Sequence, residues 1–133
     1  MPPRRNIPTA APRRSIPLIA HANIVFRTTK DYVDKLIDIF PFKTAEELQA
    51  HVLYTKEILS EIRDILKWQN DEDILMYERP AQLIIKNLIF HIENEYPRYQ
   101  QMTNRDRFAL LVTIKNELEV VIPLIRLAIQ QNS

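Results

Sequence analysis

The sequence predicts an all-α fold, a mostly antiparallel bundle of four main helices preceded by an extended basic Pro/Arg-rich N-terminal arm. Three observations predict it. Apolar residues recur at helical spacing from Thr28 to the C-terminus. Glycine is absent from all 133 residues, which removes the usual hairpin turns, and sustained two-residue alternation is missing as well. Finally, five of the nine prolines (Pro2, Pro3, Pro8, Pro12, Pro17) fall within the first 17 residues, where each fixes φ and lacks an N–H.

The first 30 residues carry Arg4, Arg5, Arg13, Arg14, Arg27 and Lys30 and no acidic residue. The remainder holds 12 basic and 17 acidic residues, so the net charge of +1 divides into a basic arm and a mildly acidic body. Residues 1–27 are accordingly expected to form the extended arm and residues 28–133 the bundle. Within the arm, residues 3–11 (PRRNIPTAA) and 12–20 (PRRSIPLIA) agree at six of nine positions. Each unit offers a guanidinium pair for carboxylates or phosphates, followed by one isoleucine for an apolar pocket. Arg4, Arg5, Ile7, Arg13, Arg14 and Ile16 are therefore the expected partner-binding residues. At ~3.1 Å per extended residue the two copies stand about 28 Å apart, the span of two equivalent pockets.

The first helix is expected to begin at Thr28 or Thr29, with Val33, Leu36, Ile37 and Phe40 on one face, and to end at Pro41. Thr44 and Glu47 form a capping-box pattern for the second, from about Ala45 to Trp68. Its seam is Leu48, Val52, Thr55, Leu59, Ile62 and Leu66, widened by Ile58 and Ile65. The polar run Gln69–Asp73 breaks the chain, with Asn70 or Asp71 as the next cap. Around Pro80 the sequence allows a short helix over residues 73–78 before a longer one, or a single kinked helix. Residues 81–92 are apolar on most faces and read as the central, most buried helix. Thr103 and Asp106 start the last helix, which presents Phe108, Leu111, Ile114, Leu118, Val121, Ile125 and Ala128. Pro123 lies inside that pattern and predicts a kink or break.

Composition narrows function. Without cysteine there is no thiolate metal site, disulfide or cysteine nucleophile, and without glycine no phosphate-cradling loop or nucleophile elbow. His21, His51 and His91 fall in different segments. Neither Glu47–His51 nor His91–Glu95 has the Glu-x-x-His spacing of a di-iron bundle, so both read as surface pairs. Glu46–Glu47, Asp71–Glu72–Asp73 and Glu117/Glu119 read as solvated carboxylates. Neither an enzymatic activity nor a cofactor or metal is expected. A secondary basic and aromatic patch at Tyr96, Arg98, Tyr99, Arg105 and Arg107 has the composition of a surface for single strands or an acidic partner.

No segment reaches 18 uninterrupted apolar residues, and Ile16–Phe26 is too short and polar for a secretory core. The acid-free, arginine-bearing start shares features with a mitochondrial presequence, but its prolines oppose the amphipathic helix such a segment needs. The expected setting is a soluble, reducing compartment or an assembled particle. The function expected from these features is a structural or assembly subunit. It would dock through its arm onto protein subunits of a larger multiprotein complex, such as a virion or an organellar, ribosome-like particle. Nucleic-acid binding through the arm is the alternative, and Leu110, Val120 and Leu124 leave room for self-association.

Overall fold

In the computed structural model, which describes residues 16–68 and 74–132, four α-helices follow one another: α1 (Ile16–Ile39), α2 (Ala45–Ile65), α3 (Glu78–Glu95) and α4 (Asn104–Gln131). Short 3-10 turns at Phe40–Phe42 and Tyr96–Gln101 join α1 to α2 and α3 to α4. No strand occurs among the described residues. The all-α bundle expected from periodicity is the fold observed.

Neighbouring helices run antiparallel. Asn23 Nδ2 donates to the Ile122 carbonyl (3.3 Å), Lys115 pairs with Asp34 (3.6 Å), and Phe40 meets Phe108 edge-on at 5.3 Å, so α1 descends as α4 rises. Lys56 pairs with Glu93 (3.5 Å) and Gln82 Nε2 donates to the Trp68 carbonyl (2.8 Å), which sets α2 against α3 in the same sense. One apolar core runs through all four helices, with Phe26, Trp68, Ile85, Leu111 and Ile114 fully buried.

The start of α1 corrects the expected boundary. The helix begins at Ile16, not at Thr28, so residues 16–27 belong to the bundle and not to an extended arm. Pro17 falls in the first turn, where its missing N–H would have had no partner and its fixed φ suits a helix. From there Ile19, Ala22, Phe26, Thr29, Val33 and Leu36 form one buried stripe at three- and four-residue steps. Thr29 is not a cap: its Oγ1 donates to the Val25 carbonyl (2.7 Å) in mid-helix.

The predicted capping box of α2 is present. Thr44 Oγ1 accepts from the Glu47 backbone N–H (3.1 Å), and Glu47 Oε1 accepts from the Thr44 N–H (2.9 Å). Beyond Ile65 the chain closes in a Schellman turn instead of continuing to Trp68. Trp68 N–H donates to the Arg63 carbonyl (2.9 Å), Lys67 N–H to that of Asp64 (3.1 Å), and Lys67 takes φ 58°. The turn drives Trp68 inward to stack on Phe26, ring centroids 6.0 Å apart. The expected caps at Asn70 or Asp71 lie outside the described residues.

Neither arrangement expected around Pro80 is found: residues 74–77 are not helical and the proline sits in the first turn of α3, where it is tolerated. The helix is also less enclosed than expected, because Leu83 (52% exposed) and Phe90 (66% exposed) share an open face. α4 runs unbroken through Pro123. That proline is on the exposed side, and it lines a cleft together with Glu119, whose carbonyl it leaves without its helical donor. Asn23 braces the same turn from the buried side through the adjacent Ile122 carbonyl.

Candidate functional site

Of the residues expected to bind a partner, Arg4, Arg5, Ile7, Arg13 and Arg14 lie outside the described residues. Ile16 is described, and it is the first residue of α1, half-buried against the core. Its position differs from that of a free docking side chain: the second repeat unit ends as the first turn of a core helix, with Ile19 fully buried.

The Tyr96–Arg107 segment comes together as the corner between α3 and α4. Pro97 and Arg98 (φ −113°, ψ 20°) turn the chain, and Thr103 Oγ1 caps α4 by accepting from the Asp106 N–H (3.1 Å). Arg107 binds this corner to itself. Its Nε donates to the Tyr99 carbonyl (2.8 Å), Nη1 to Asn104 Oδ1 (2.9 Å) and Nη2 to the Gln100 carbonyl. Its guanidinium carbon also lies 5.9 Å from the centre of the Tyr99 ring.

Tyr99 is buried, and burial pushes its hydroxyl up to about 12 against a weaker opposing pull from Arg107. Tyr96 is half-buried against the core, and its carbonyl accepts from Gln49 Nε2 (2.5 Å). Arg98 pairs with Glu95 (3.2 Å). Arg105 is exposed and makes no hydrogen bond or ion pair among the described residues. Four of the five patch residues are thus engaged within the chain, with their donors or rings already committed.

Beside this corner a cleft of about 440 Å³ opens between α3 and α4, bordered by His91, Glu95, Arg98, Asp106 and Thr113 over a floor of Met102 and Leu110. Its charges alternate in sign and Glu95 is taken by Arg98, leaving no concentrated field of one sign. Sequence spacing missed it, since its walls come from three elements. Among the described residues no group of three or more His, Asp or Glu side chains could hold a metal ion. No helix described is long and apolar enough to cross a membrane.

The other histidine expected to pair with a neighbouring carboxylate is placed differently. His51 Nδ1 shares a hydrogen bond with the Tyr32 hydroxyl, and the two rings stand edge to face at 5.7 Å. Glu47 is occupied instead by Thr44, whose backbone and side-chain hydrogen bonds hold its carboxyl below the usual range. Sequence spacing also left unread the outer face of α2, where Glu46, Glu57, Glu61 and Asp64 are all exposed.

Compared with known protein families, with curated proteins and with solved structures, the chain matches none.

Proposed function

We propose that this protein is a non-enzymatic structural or assembly subunit. It docks onto protein neighbours in a larger complex, of the virion or organellar-particle kind, through the basic segment ahead of α1. The observation that carries the reading is the triplet Pro-Arg-Arg ahead of α1, repeated at a nine-residue interval (Pro3–Arg5 and Pro12–Arg14) in a stretch without acidic residues. Guanidinium pairs recognise carboxylates in bidentate fashion, and prolines reduce the entropy lost when an extended segment is held. The committed donors of Arg98 and Arg107 support the arm, more than the α3–α4 corner, as the docking element.

The test compares the full chain with a variant in which Arg4, Arg5, Arg13 and Arg14 are alanine, each purified from its native host under mild salt. The reading expects stoichiometric protein partners with the full chain and their loss with the variant, at unchanged helicity by circular dichroism. Recovery of the same partners by both would overturn it. Titration of the full chain with duplex and single-stranded DNA and RNA across a salt series separates the alternative. Tight binding that weakens steeply with salt would assign the arginines to phosphates.

A further inference from the structure

The outer face of α2 carries Glu46, Ala50, Leu53, Glu57, Glu61 and Asp64 at steps of three and four residues, all exposed except the half-buried Leu53. Tyr54, at 52% exposure, flanks Leu53 and Ala50. Among the described residues, Glu46, Glu57 and Glu61 form no ion pair, while the nearby cations are engaged elsewhere: Lys56 with Glu93 and Arg63 with Asp64. The result is a helix face with carboxylates at both ends, of which only Asp64 is paired among the described residues, and an apolar middle. From Glu46 to Glu61 and Asp64 is 15 to 18 residues, ~22–27 Å along the axis.

We infer that this face receives the arm of a second copy of this chain, with Arg4 and Arg5 meeting Glu46, Ile7 lying by Ala50 and Tyr54, and Arg13 and Arg14 meeting Glu61 and Asp64. The inference rests on the reading of the arm as a docking element and names its partner. The spacing agrees at both ends, because nine extended residues separate the arginine pairs by ~28 Å. Ile7 follows Arg5 by two residues, ~6 Å, which brings it level with the apolar middle of the face.

The two-ended contact is between molecules because, within one chain, Arg13 and Arg14 cannot reach Glu61 and Asp64. Phe26 of α1 stacks on Trp68 just past the end of α2, and α1 continues ten residues beyond Phe26 to Ile16. The arm therefore leaves the bundle ~15 Å beyond the level of Trp68, and Asp64 lies farther back still. Arg14, two residues from Ile16, has ~7 Å of backbone and a side chain of similar length to cover that distance. On a neighbouring molecule no such limit applies. A contact between two different surfaces of identical chains is heterologous, so it closes by reciprocal exchange between two copies or propagates head to tail into a larger ring or an open filament.

Sedimentation velocity of the full chain, over a wide concentration range at low and high salt, tests this. The expected result is concentration-dependent association, to a dimer or beyond, that weakens as salt rises. E57K/E61K and R13E/R14E, each checked for helicity, should weaken association by about tenfold or more. The two changes combined in one chain should restore it, an outcome that a folding defect in either variant cannot produce. A full chain that is monomeric throughout, or E57K/E61K associating like the unaltered protein, would overturn the inference. Loss of partners with the alanine variant described above, beside a monomeric full chain, would leave the assembly role intact and refute only the second copy as partner.

Discussion

Lys67 bears a conformation that glycine usually supplies. Its φ of 58° is the one positive value at a non-glycine residue among those described, and the chain has no glycine to offer. The left-handed region brings Cβ close to the following carbonyl, so Lys67→Gly should raise stability by about 0.5–1 kcal/mol, read from urea unfolding. Tyr99 makes a second residue-level prediction. Its hydroxyl is held protonated in the folded chain up to about 12, against an ordinary value of 10.0. The folded state thus keeps its proton after the unfolded state has released its own. The stabilisation is complete below pH 10 and is lost as pH climbs toward about 12. Tyr99→Phe should flatten the alkaline limb of a stability–pH curve while sacrificing only a long hydrogen bond to the Arg107 carbonyl (3.4 Å).

Among the elements, α2 and α4 were the most legible, because their starts are written in short local codes. Thr44 with Glu47, and Thr103 with Asp106, satisfy N–H groups that any helix start leaves open, and both caps form. The Glu47 carboxyl, held low by the Thr44 backbone N–H, stabilises the fold above its unfolded-state pKa, and that contribution disappears as pH falls through the folded value. Glu47→Gln, which keeps an acceptor for that N–H but cannot titrate, should therefore lose less stability on acidification than the unaltered chain, measured as the urea midpoint from neutral to acid pH. α1 was only half legible. Ile19, Ala22 and Phe26 continue the stripe of Val33 and Leu36, but the prolines upstream obscured them, and Pro17 is harmless only because it lands in a first turn. The distinction has an experimental edge. A chain beginning at Ile16 should retain its thermal midpoint, whereas one beginning at Thr28 should lose cooperative unfolding. Removing buried Phe26 alone costs about 3–5 kcal/mol, against a total stability of roughly 5–15 kcal/mol.

For the molecule as a whole, periodicity announced four helices and their antiparallel order, since short connections leave little else possible. What it could not announce was which charges would be consumed. Arg107 reads as a free cation in sequence, yet it spends its donors on carbonyls eight and seven residues upstream, a pairing set only when the corner closes. Equally, Glu46, Glu57 and Glu61 look like ordinary solvated residues until the other side of α2 is seen to be buried and they stand together on its exposed side with no ion pair among the described residues. Trp68 carries a practical consequence of the same closure. It is the sole indole in the chain, it is sealed from water, its Nε1 donates to the buried Glu78 carboxylate (2.6 Å), and its ring lies on Phe26. The protein thus contains its own optical reporter, placed where the first helix seats against the tip of the second. Its fluorescence registers any loosening of that seat without an added label.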